Sequence, residues 1–166
     1  MCIREKRRTP QIRDLVRETT LNKNNFVYPL FVVPGKKFRR EISSMPNVFQ
    51  LSIDEVVREC AELLDLGINS VILFGIPEEK DEAGSGAYNG HGIVQEAIRA
   101  IKRELPEMLV ITDVCLCEYT SHGHCGILNG DEILNDPTVE LLSRIALSHA
   151  ERGTDINEPR DMMEGR

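Results

Sequence analysis

Apolar positions along this chain follow two periods in alternation. Residues 26–33, FVYPLFVV, are a continuous β-rich run closed by Pro34-Gly35, which predicts a buried strand in spite of Pro29. From Ser52 the period becomes helical: Ile53, Val56, Val57, Cys60, Leu63 and Leu64 share one face, Ser52-Ile-Asp-Glu55 reads as a capping box, and Gly67 stops the run. Residues 69–77 predict a second strand, the run from Ile93 to Leu105 a second helix, and residues 108–113 a third strand. Asp136-Pro137 is expected to cap a third helix whose inner face holds Leu142, Ile145, Ala146 and His149, and a strand-like start follows at Thr154. On this spacing Cys60 and His149 are core residues. Ahead of these elements, residues 11–21 carry a short amphipathic run, Ile12, Leu15 and Val16, with Pro10 as its first helical residue.

Strand and helix in repeated alternation predict an α/β fold with a parallel sheet and right-handed crossovers. The two long loops follow the second and third strands, at the carboxyl ends where such folds place their active sites. The first, residues 78–92, is glycine-rich, but Gly84, Gly86 and Gly90 do not match a dinucleotide fingerprint and its four acidic residues repel a phosphate. A mobile lid is the expectation there.

The second loop carries the chemistry. Residues 113–126, DVCLCEYTSHGHCG, gather three of five cysteines and two of four histidines. In an extended segment Cys115 and Cys117 would leave one face about 7 Å apart, and Gly123 lets the backbone return Cys125 to them. Thiolates favour zinc, and three protein ligands leave a fourth position open for water or substrate, as catalytic sites require. The spacing leaves two other readings standing: a structural centre closed by His122 or His124, or thiols that are buried or disulfide-paired. The position of the loop favours the catalytic one.

At 166 residues, 41% hydrophobic, with mean hydropathy −0.25, the chain has the size and composition of one soluble domain. No apolar run approaches the ~18 residues that span a bilayer, and the first residues lack a secretory apolar stretch. A cytoplasmic protein without a membrane partner is expected, and clustered free cysteines fit a reducing compartment. The net charge of −7 argues against nucleic acid as a partner, as does the lack of basic residues around the cysteines. Residues 1–25 carry seven Lys/Arg against three Asp/Glu, a basic arm expected to pack on another subunit.

Nine blocks in order carry a resemblance: RDLVRET (13–19), YPLFV (28–32), SMPN (44–47), FGIP (74–77), KDEAGS (80–85), AYN (87–89), DVCLCEY (113–119), HGHCG (122–126) and DMMEGR (161–166). Through them the chain resembles the 5-aminolevulinate dehydratase, or porphobilinogen synthase, family over nearly its whole length. The resemblance implies a TIM-type (β/α)8 barrel of which about the first four strands are present, in residues 26–166, preceded by an N-terminal arm, residues 1–25, that embraces a neighbour in a homo-octamer. It implies condensation of two 5-aminolevulinate molecules to porphobilinogen, on the path to haem. By the same likeness Cys115, Cys117 and Cys125 match the zinc-binding cysteines, and Asp113 and His124 line the site. Mg2+ belongs to some members, at a site outside this chain. The family's two Schiff-base lysines lie on later strands, and no lysine follows Lys102 here. Arg160 stands in the place of a family serine, and Asn157 and Glu158 suit a buried parallel strand poorly. A non-catalytic, self-associating zinc-binding half-barrel is the rival reading.

Overall fold

The structure, a computed structural model, describes residues 8–165. In chain order it contains helix α1 (Pro10–Leu15), strands β1 (Tyr28–Val32), β2 (Arg39–Ile42) and β3 (Met45–Leu51), helix α2 (Ile53–Leu66), β4 (Ser70–Gly75), α3 (Ile93–Glu104), β5 (Leu109–Val114), β6 (Ile127–Asn129), β7 (Glu132–Leu134), α4 (Asn135–Ala150) and β8 (Ile156–Pro159). Six strands form one sheet in the order β2-β3-β1-β4-β5-β8, and β6 pairs with β7 apart from it. Every neighbouring pair from β3 to β8 is parallel, while β2 runs antiparallel to β3. The mixed α/β fold with a parallel sheet is therefore as the alternating pattern predicts.

Side-chain alternation along the strands separates two faces. Leu30, Val32, Val71, Leu73 and Val110 point toward the helices and are buried against Val56, Cys60 and Leu63 of α2 and Val94, Ala97, Ile98 and Ile101 of α3. Cys60 is fully buried, as its helical spacing predicts, and burial pushes its thiol up to about 12. His149 is also buried, in α4. On the other face Pro29, Ile72, Phe74, Ile111 and Ile156 line a trough of about 480 Å³ that Glu158 and Arg160 close at one end.

Several expectations change. The hairpin β2–β3 and the small β6–β7 ribbon have no counterpart in the predicted elements, because their strands are short, polar and mostly exposed. The Ser52 side chain does not cap α2: its hydroxyl accepts from Phe38 N at 2.9 Å and donates to Asp54 Oδ1 at 2.7 Å, tying the β2–β3 excursion to the helix start. Helix α4 begins one residue before the expected Asp136-Pro137 cap, at Asn135, with Leu134 as its N-cap residue. Helix α1 stops at Leu15 with no buried residue, and a helix of six residues gains little stability of its own from propagation. Asn157 is accommodated by hydrogen bonds, Thr112 Oγ1 donating to its Oδ1 at 3.0 Å and its Nδ2 donating to Ala146 O at 3.2 Å, while the Glu158 side chain is exposed. Of the basic arm, residues 1–7 lie outside the described residues. No helix among the described residues is long and apolar enough to cross a membrane.

Candidate metal centre

Strand β5 delivers Asp113 and Val114 to the carboxyl edge of the sheet, and the cysteine loop begins one residue later. Here the extended geometry expected for Cys115 and Cys117 is replaced by a turn. The amides of Tyr119 and Thr120 both donate to Leu116 O at 2.9 Å, which winds the chain and sends the Leu116 side chain into the core. The two thiols flanking it are thereby brought together, with 3.3 Å between sulfurs. Tyr119 packs beneath the loop; its hydroxyl and Val94 occupy the space a side chain at Gly75 would need, so the glycine at the end of β4 permits this close seat.

Gly123, at φ +72°, turns the chain back, and Thr120 Oγ1 donates to His124 O at 2.9 Å, which places Cys125 beside the pair. All three sulfurs lie within 4.8 Å of one another. Three thiolates around one tetrahedral zinc at ~2.3 Å stand about 3.8 Å apart, so this donor set fits that ion with small side-chain adjustments. A disulfide among them is not formed.

The histidines are engaged in the loop itself. His122 Nδ1 accepts from His124 N at 3.1 Å, which leaves the ring proton on Nε2, 3.3 Å from Glu82 O. His124 Nδ1 accepts from Gly126 N at 3.3 Å, so its neutral ring carries the proton on Nε2. Neither imidazole joins a cluster of metal-ligating atoms among the described residues. His124 thus stands next to Cys125 in sequence with an Nε2 donor.

Electrostatically the site is acidic. Burial pushes the Cys115 thiol up to about 12 and also raises Cys117, which holds its proton toward the neighbouring Cys115 sulfur and the Glu118 carboxylate. A cation entering here displaces protons from buried thiols, so its binding weakens as pH falls. Asp113 is brought up to about 7, first by burial, then by Glu118, while Arg160 opposes the rise. The Asp113 side chain is 6% exposed, and its Oδ1 accepts no hydrogen bond among the described residues. Arg160 Nε lies 3.8 Å from that oxygen, and its guanidinium stands 5.5 Å from the Phe74 ring centroid. Arg160 is therefore a cation placed between the acidic site and the apolar trough.

Two features escape the motif reading. Glu118 joins Asp113 and Cys115 in a second cluster of potential ligands and accepts from Cys117 Sγ at 3.2 Å; its signal was its place inside the motif. The glycine-rich segment expected as a lid is docked on the cysteine loop, by a parallel bridge between Asp81 and Thr120, and on α3 and α4, where Gln95 Nε2 bonds Ala87 O at 2.7 Å and Ser148 Oγ at 2.9 Å.

Comparison with known proteins gives one answer by sequence and by structure. The family model described as delta-aminolevulinic acid dehydratase matches residues 2–166. The delta-aminolevulinic acid dehydratase of Halalkalibacterium halodurans is 51% identical over 98% of this chain and 49% of its own length, and that of Synechococcus elongatus is 53% identical over 98% and 51%. The chain thus spans about half the length of these curated relatives. The crystal structure of the Toxoplasma gondii porphobilinogen synthase, in complex with its reaction product porphobilinogen, superimposes with a TM-score of 0.95 at 34% identity, over 100% of this chain and 48% of that one. The cysteine-bearing chain belongs to the delta-aminolevulinic acid dehydratase family.

Proposed function

We propose that this chain carries the zinc-binding half of a porphobilinogen synthase, with Cys115, Cys117 and Cys125 as the metal ligands. The observation that carries the reading is the convergence of three thiols at the carboxyl edge of the sheet, within 4.8 Å of one another and beside a buried carboxylate. When bound, zinc supplies an open coordination position and a modest polarising charge, because three thiolates leave the centre net negative. Asp113, near neutrality in its proton affinity, holds or moves a proton at its Oδ1, which accepts no hydrogen bond among the described residues. His124 offers its Nε2–H to a substrate oxygen, and Arg160 orients Asp113. In the complete reaction two 5-aminolevulinate molecules condense to porphobilinogen with loss of water. The resemblance implies two Schiff-base lysines on later strands, and no lysine follows Lys102 here, so the role proposed for this chain is the metal-binding part of the reaction.

The sheet fits the first half of a (β/α)8 barrel, residues 26–166, with the trough as part of the barrel interior. Residues 1–25 are an arm for a neighbouring subunit of a homo-oligomer in the cytoplasm, and Leu15 and Leu21, 85% and 81% exposed, are its apolar contacts.

Competition with a chromogenic chelator tests the metal assignment. Cys117→Ser is expected to weaken zinc binding about tenfold or more, since one of three ligands is lost. Equal affinity in both proteins would remove the assignment.

A further inference from the structure

Cys125 is separated from Cys115 and Cys117 by a loop, and something must hold that loop closed for three sulfurs to meet. The hydrogen bonds that close it converge on two side chains. The Thr120 hydroxyl, almost fully buried, donates to His124 O at 2.9 Å, one peptide unit from Cys125. Thr120 is in turn registered against Asp81: Asp81 N donates to Tyr119 O at 3.3 Å, and Ser121 N donates to Asp81 O at 2.9 Å.

The Asp81 carboxylate fixes that register from the other side. Its Oδ1 accepts from Ala83 N at 2.9 Å and Ser85 N at 3.0 Å, and its Oδ2 accepts from the Ser85 hydroxyl, so the KDEAGS turn is built around this one side chain. The turn then presents Glu82 O to His122 Nε2 at 3.3 Å and places Gly84 where an added side chain would approach Leu116 to 2.8 Å, between the first two cysteines. Both the 115–117 turn and the 122–125 return therefore bear on the Asp81 turn.

We propose that Asp81 and Thr120 are positioning residues for the metal centre: the Asp81 turn and the Thr120 hydroxyl together hold Cys125 in reach of Cys115 and Cys117. This deepens the proposed zinc site and rests on it. Neither side chain touches the metal, and the segment expected to act as a lid becomes the back plate of the site. Groups that orient ligands from outside the coordination sphere commonly change metal affinity 10- to 100-fold when removed.

The test uses the full 166-residue chain, titrated with Co2+ and, in a parallel chelator competition, with Zn2+. Wild type is expected to show a thiolate-to-cobalt charge-transfer band of three-sulfur intensity. Thr120→Val, which keeps the volume and loses the hydroxyl, and Asp81→Ala are each expected to lower zinc affinity about tenfold or more and to weaken the band toward that of two sulfurs. Thr120→Ser and Asp81→Asn, which retain the hydroxyl and the acceptor Oδ1, restore both readouts. A turn that only stabilises the fold would shift melting temperature alike in the paired variants without changing the cobalt spectrum. Wild-type affinity and an unchanged band in Thr120→Val and Asp81→Ala overturn the positioning role while leaving the zinc assignment standing. Absence of a thiolate band in wild type, or its persistence undiminished in Cys117→Ser, overturns the zinc assignment and this inference with it.

Discussion

His149 sits in α4 with 1% of its surface exposed, and neither ring nitrogen bonds a described residue. Burial alone lowers its pKa to about 4, against 6.5 for a free histidine. Between those values the unfolded chain binds the proton and the folded chain does not, so stability is lost as pH falls through 6.5 toward 4. The loss between pH 7 and pH 5 is about 2 kcal/mol from this residue. His149→Leu, nearly matched in volume, should remove that increment, which urea denaturation of the metal-free protein at the two pH values measures. An identical pH slope in both proteins would show that the imidazole is hydrated in the fold. The core position of His149 was readable from its helical spacing with Leu142 and Ile145. Its lack of partners was not, because they depend on how α4 seats against the rest of the fold. Gln95 illustrates the same gap, since a polar residue next to Val94 became a buried bridge between Ala87 O and Ser148 Oγ only through tertiary packing.

At the scale of the element, legibility followed the strength of the period. Helices α2 and α3 and strands β1, β4 and β5 carry dense apolar patterns, and their predicted spans agree with the observed ones to within a few residues. The β2–β3 hairpin is polar and exposed, so alternation gave it no signal, and its attachment through Ser52 and Asp54 consumed the hydroxyl that a capping box would have used. The three thiols were legible as a motif, whereas the turn that joins two of them was not: C-x-C spacing is compatible with a strand, and it is the burial of Leu116 that selects the wound form. Gly67, by contrast, was legible as a stop and is one, with φ +79° closing α2 through bonds to Leu63 O and Leu64 O. A Cβ there meets the left-handed backbone penalty and comes within 3.3 Å of Lys23 Cδ, whose ammonium bonds Leu66 O at 2.8 Å. Gly67→Ala is therefore expected to cost about 1–2 kcal/mol in urea denaturation. It should also speed amide exchange around residues 22–26, the segment that Lys23 fastens to the helix end. A neutral effect on both would mean that the C-cap relaxes without strain.

At the scale of the molecule, the sheet has one face under helices and one face lined by Pro29, Phe31, Ile72, Phe74, Ile111 and Ile156, with Phe31 and Phe74 stacked 5.3 Å apart between centroids. Contiguous apolar surface of this kind marks a place where further protein packs. Under the half-barrel reading proposed above, that place is the barrel interior. The consequence is an asymmetry between this chain and a full-length relative. Ile72→Lys with Ile111→Lys should change the melting temperature of this chain little, because both residues are only partly buried, beside the open trough, and α2 and α3 pack on the opposite face. It should also sharply reduce binding of the fluorescent probe ANS, which reports open apolar surface. The same pair of lysines at the matching positions of a full-length relative should be severely destabilising, since two charges would then lie unpaired in a closed interior. Undiminished probe binding in this chain would place the open apolar surface elsewhere. Tolerance of the lysines in the full-length protein would mean that its remaining half does not close over this face, and would remove the half-barrel reading while leaving the three-thiol centre intact.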